Sequence, residues 1–195
     1  MIPNTSRLIS TGKPKFQTSR LVLCAMFTAL IIIGTFIRIP IPPVPFTLQT
    51  LFVVLAGILL GKKWGTVSVC LYTLLGLIGL PIFSGGTGGL AYVLKPTFGY
   101  ILGFCICSYV VGQIARPQGS SLPSYRRLLT ASFAGMGIIY LCGMLYYWLI
   151  QRLYLGANID LWWFILNFFL MTLPKDIVTC FVTAWAGRRL IRIIG

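Results

Sequence analysis

Apolar residues in this chain fall into long runs, uncharged except for Lys175 and Asp176 near the start of the last, broken by short polar or glycine- and proline-rich interruptions. The runs cover 21–37, 47–60, 66–80, 99–115, 128–150 and the stretch from Pro174 to the arginines at 188, 189 and 192. Backbone in hydrocarbon must satisfy its own hydrogen bonds, so runs of this length predict helices that cross a bilayer about 30 Å thick. The pattern predicts an all-α integral membrane protein of six transmembrane helices.

The interruptions are as informative as the runs. Pro40 to Pro45 holds four prolines in six positions, which excludes helix. Gly61 to Gly65 reads as a hairpin loop, and 116–127 as a polar connector. Between Gln151 and Leu173 lies a mixed segment. Its Trp162, Trp163 and Phe164 suit the membrane interface, so it reads as a short helix dipping into the bilayer and capped by Asp160. Pro174 then suits the first turn of the last span.

The densest interruption is Pro81 to Tyr100, PIFSGGTGGLAYVLKPTFGY. Gly85, Gly86, Gly88 and Gly89 allow irregular backbone and close approach of a neighbour or ligand. Near lipid such backbone is tolerated where protein buries it or where it lines a cavity. The segment is therefore expected to wall a pocket at one membrane face.

Charge sets the orientation. Of 195 residues only Asp160 and Asp176 are acidic, against sixteen Lys and Arg, for a net charge of +14. These cations lie mostly between apolar spans, so they report topology rather than nucleic-acid binding. The six-span arrangement puts twelve of them on one side and leaves Arg38, Lys95, Arg152 and Lys175 on the other. Both termini are thus expected in the cytoplasm, with the glycine-rich loop outside. Residues 1–20 read as a basic cytoplasmic segment and 21–195 as one transmembrane domain, the first run being too long for a cleaved signal peptide.

Composition also excludes chemistry. The chain has no histidine, hence no imidazole ligand or triad base, and its six cysteines lie inside apolar stretches as packing thiols. No metal site, cofactor or catalytic residue is expected. Gly57 to Lys63 falls one residue short of a phosphate loop and lacks the following Ser or Thr.

Several ordered motifs resemble the BioY family, the biotin-binding S components of energy-coupling factor (ECF) transporters. They are VPFTLQTL at 44–51, GLPIFSGGTGG at 79–89, Pro96-Thr97, Gly99-Tyr100, and Pro174 with Asp176. The resemblance implies a six-helix S-component bundle in the cytoplasmic membrane that captures biotin near the outer surface. Implied partners are a transmembrane coupling protein and two ATP-binding cassette ATPases. It also implies docking on the coupling protein through an A-x-x-x-A face, matched by Ala25 and Ala29.

Within that resemblance Asp176 is expected to accept the N–H donors of the ureido ring; the plainer alternative is a carboxylate favouring a helix start, worth about 0.3–1 kcal/mol. Family members usually place Gly before this Asp and Lys three residues after it, where this chain has Lys175 before and Thr179 after. A further departure is Lys95-Pro-Thr-Phe-Gly-Tyr100 in place of GPTGGY. Lys95 and Lys175 both stand as partners for the ligand carboxylate, or as solvated lysines. Gln49 offers an amide to the ligand. Tyr92, Phe98 and Tyr100 offer rings, or serve as interfacial aromatics. The reading is vitamin capture without catalysis; the alternative is a stand-alone permease or an S component for another small vitamin.

Overall fold

The computed structural model describes residues 15–39, 46–116, 122–154, 156 and 161–194. Residues 1–14 of the N-terminal segment, the proline-rich stretch 40–45, residues 117–121 of the polar connector and Asp160 lie outside the described residues. Helices α1 (Lys15–Phe36), α2 (Gln49–Ile78), α3 (Phe98–Ala115), α4 (Tyr125–Leu153) and α5 (Leu161–Ile194) make up nearly all of the rest. Four of the described helical runs, in α1 to α4, are long and apolar enough to cross a membrane.

Helix α2 is not one rod. Its backbone leaves helical angles at Gly61 (φ 76°, ψ 178°) and doubles back. A Cβ added to Gly65 would lie 2.7 Å from the Ala56 carbonyl oxygen. Gln49 and Tyr72 line a single cavity, although an unbroken helix would hold them about 35 Å apart. The five-residue loop expected at 61–65 is thus one glycine in a left-handed conformation, with Lys62 to Trp64 already helical.

The last helix also differs from expectation. It starts at Leu161 and runs through Pro174, which sits inside it rather than at its beginning. Proline cannot donate to the carbonyl four residues earlier. In apolar spans the freed carbonyl finds other partners, and the alternative of non-helical backbone in lipid costs more. The segment read as a mixed interfacial stretch is therefore mostly the first half of α5.

Packing follows chain order: α1 on α2, α2 on α3, α3 on α4, α4 on α5, and α5 back against α2. Small residues set the crossings. A Cβ on Gly57 would meet the Ser108 carbonyl at 2.8 Å, one on Gly187 would meet Ile58 at 2.8 Å, and one on Gly135 would meet Cys107 Sγ at 2.7 Å. Such close approach is how apolar helices gain contact without a hydrophobic driving force between them.

Two short strands, β1 (Arg38–Ile39) and β2 (Phe46–Thr47), pair antiparallel with Arg38 opposite Thr47. They bring together the residues on either side of positions 40–45. The loop after α2 is pinned by Phe83, fully buried where a Gly76 side chain would otherwise be. Its ring meets Tyr72 edge-on with centroids 5.6 Å apart and Tyr92 at 4.5 Å, and the aromatic chain continues through Phe98 to Tyr146.

Candidate functional site

A cavity of about 220 Å³ opens at the end of the bundle where α2 and α3 begin. Each element contributes differently. The strand pair supplies Arg38 and Thr47, α2 supplies Gln49, Thr50 and Tyr72, and the glycine-rich loop supplies Ser84, Tyr92, Lys95 and Thr97. Helices α3 and α4 supply the apolar wall of Ile101, Phe104, Met136 and Ile139, together with Tyr100 and Tyr140. Helix α5 adds Thr172, Lys175 and Asp176.

Asp176 is the polar centre. It is only 6% exposed, and the Tyr140 hydroxyl donates to its Oδ2 while lying 2.9 Å from Thr172 Oγ1. Lys175 Nζ is 2.8 Å from Oδ1, an ion pair outside hydrogen-bond geometry, so Oδ1 keeps acceptor directions for another donor. A buried carboxylate is stable only when paired and hydrogen-bonded, and here one tyrosine and one lysine do that.

Two further polar groups are held ready. Gln49 Nε2 and Ser84 Oγ are buried with no hydrogen-bond partner. Leaving a buried polar atom unmet costs roughly 1–3 kcal/mol, and these two atoms stand beside one cavity, available to a molecule that enters it. The mouth carries cations: Lys95 is exposed, lies 4.8 Å from the Tyr92 ring centroid and reaches Thr87 Oγ1 at 3.4 Å. Burial raises the pKa of the Tyr92 phenol, against a smaller lowering by its bond to Thr97, so it faces the site as a neutral hydroxyl.

The arrangement can hold a small molecule with N–H donors at Asp176, an acceptor near Gln49 and Ser84, an apolar body, and an anionic end toward Arg38, Lys95 or Lys175. Among the described residues no group of His, Cys, Asp and Glu suited to a metal ion occurs.

Comparison with known proteins narrows this chemistry. A family model described as the BioY family matches residues 8–195. The chain belongs to that family. A biotin transporter BioY of Thermotoga maritima is 39% identical over 163 residues, covering 84% of this chain and 83% of the relative. A probable biotin transporter BioY of Lysinibacillus sphaericus is 38% identical over 91% of this chain and 89% of its own. The crystal structure of the S-component for biotin from an ECF-type ABC transporter superposes with a TM-score of 0.69 at 31% identity, covering 92% of this chain and 94% of that one. BioY proteins are transporter subunits, not enzymes, and the apolar helices described above place this one in a membrane.

Six of the residues singled out from sequence meet in the cavity: Gln49, Tyr92, Lys95, Tyr100, Lys175 and Asp176. The four glycines do not line it. Gly85 and Gly86, with φ of 93° and 67°, turn the loop between the bridged residues Phe83 and Thr87, and Ser84 is the residue this turn presents. Phe98 packs between Tyr92 and Tyr146 behind the wall. Ala25 and Ala29 are exposed along one face of α1.

Sequence reasoning missed Arg38, Ser84, Tyr72 and above all Tyr140. The available signal was position: Tyr140 stands mid-run in 128–150, although tyrosines in spans favour the interface. In the sequence Arg38 reads only as a topological charge.

Proposed function

We propose that this chain is the substrate-binding subunit of an ECF-type transporter and captures biotin for uptake across the cytoplasmic membrane. The observation that carries the proposal is the buried Asp176, with an acceptor direction open, in one cavity with the unpartnered Gln49 Nε2 and Ser84 Oγ. Biotin has the matching outline: a ureido group with two N–H donors and one carbonyl acceptor, a compact sulfur ring, and a carboxylate on a short chain.

In this reading Asp176 accepts ureido N–H bonds, and Gln49 with Ser84 donates to the ureido carbonyl. Tyr92, Tyr100 and the α3–α4 wall enclose the rings. The carboxylate meets Lys95, Lys175 or Arg38 at the mouth. Lys175 already neutralises Asp176, which favours Lys95 and Arg38 for the incoming anion. Gly85, Gly86, Gly88 and Gly89 act by shaping the loop over the ligand.

The same reading gives six membrane passes, with the two arms of α2 counted separately at the Gly61 reversal, and residues 21–195 as one domain. Both termini lie in the cytoplasm, supported by the excess of Lys and Arg on that side. A transmembrane coupling protein and two ATP-binding cassette ATPases supply the energy. Exposed Ala25 and Ala29, one turn apart on α1, form the docking face.

The test is equilibrium binding of biotin, thiamine and riboflavin to the purified chain. Biotin is expected to bind at least a hundredfold more tightly than either. Comparable affinity for another vitamin would transfer the assignment to that vitamin, and binding of none would remove it.

A further inference from the structure

A second concave surface lies at the other end of the α2 hairpin. It is a crevice of about 430 Å³ between the second arm of α2 and α3, walled by Val67, Cys70, Leu71, Leu74 and Tyr109, with Lys62 and Lys63 among its lining residues. Both lysines are exposed, and so are Val67, Leu71 and Leu74. Arg116 adds to the charge, its Cδ lying 4.0 Å from the position of a Cβ on Gly61. Burial lowers the pKa of the Arg116 guanidinium, and the neighbouring cation Arg20 adds a smaller lowering.

No acid of this chain offsets that charge among the described residues. The sole one described, Asp176, is committed to the cavity. The counter-ion therefore comes from outside. Its shape follows from the crevice: from Lys63 to Leu74 is eleven residues, about 16 Å of helix, or roughly half of a 30 Å hydrocarbon core. The cations stand where a helical hairpin turns at a membrane surface, and the apolar trough ends near the mid-plane.

We infer that this crevice binds an anionic phospholipid, its phosphate at Lys62 and Lys63 and one acyl chain along Val67, Leu71 and Leu74. A free phosphate would satisfy the lysines and leave the trough empty. A zwitterionic lipid would fill the trough but cancel most of the attraction at the head. Clusters of Lys at a membrane surface attract anionic lipid, enough to select one headgroup over another at a single site.

A reporter tryptophan introduced by Leu71→Trp, in vesicles of phosphatidylcholine, reads the site directly. Chain-brominated phosphatidylglycerol is expected to quench the reporter at about tenfold lower lipid fraction than chain-brominated phosphatidylcholine, after subtraction of the wild-type signal. Lys62→Gln with Lys63→Gln on that background should abolish the preference while leaving thermal unfolding and biotin binding unchanged. Excess inorganic phosphate should not restore the fluorescence. Equal quenching by the two lipids, or loss of the preference on adding phosphate, would overturn the inference. So would absence of quenching by either, the result of a protein partner or another helix covering the trough. The lipid readout does not involve biotin, so a failure here is separable from a failure of the transport assignment.

Discussion

The cavity end and the small-residue crossings of this bundle solve opposite problems with the same helices. Where Gly57 meets the Ser108 carbonyl and Gly135 meets the Cys107 thiol, an added Cβ would collide within 3 Å, so neither glycine leaves room for a side chain. At the cavity end Tyr72, Tyr100, Tyr140 and Phe104 line an open volume, and Gln49 Nε2 and Ser84 Oγ are left without hydrogen-bond partners beside it. Close packing supplies the rigidity against which a partly unsatisfied pocket can be maintained. The difference teaches that the site is a region where packing is deliberately incomplete, bounded by regions where it cannot be loosened.

Substitutions at the two regions should therefore separate binding from stability. Asp176→Asn removes the charge to which Tyr140 donates and on which the proposed ureido N–H bonds depend. Calorimetric titration should show biotin affinity falling about a hundredfold or more with the unfolding midpoint little changed. Gly57→Val should do the reverse. Forcing a branched side chain against the Ser108 carbonyl should cost roughly 1–3 kcal/mol of stability, read as a lower unfolding temperature in detergent, with biotin affinity retained in the folded fraction.

Tyr140→Phe tests the link between the regions, since Tyr140 sits on α4 and orients a carboxylate on α5. An affinity loss of about tenfold is expected, and Asp176→Asn combined with it should add little beyond Asp176→Asn alone. Unchanged affinity in the single variant would show that Lys175 alone holds the carboxylate. Lys95→Ala and Arg38→Ala should each weaken binding by about three- to tenfold, as exposed cations at a wet mouth do. The smallest effect on binding, none, belongs to Ala25→Trp, which should nonetheless halt uptake in cells carrying the full transporter; intact uptake would remove the docking face from α1.

Much of this was legible in the chain itself. Uncharged runs bounded by cations announce membrane helices because lipid tolerates no unpaired backbone and little charge. Asp176, Lys175, Gln49, Tyr92 and Lys95 were readable because polar side chains in or beside such runs need a reason. The Gly61 reversal was visible as a break, though not as a single-residue turn, because positive φ is a property of the folded backbone and glycine only permits it. The continuity of α5 through Pro174 was not visible: local propensity argues for a start there, and only the environment of the whole helix overrides it.

What the sequence alone determined was a membrane bundle, its charge asymmetry and a shortlist of polar residues, since these depend on composition and on neighbours a turn apart. Tertiary structure decided which of them meet. The Tyr140 bond to Asp176 spans 36 residues, Arg38 pairs with Thr47 across two short strands, and Ser84 enters the cavity wall because Gly85 and Gly86 can turn behind it. Contacts of that range are set by how helices cross, and helix crossing is a property of the packed bundle that no local stretch of sequence contains.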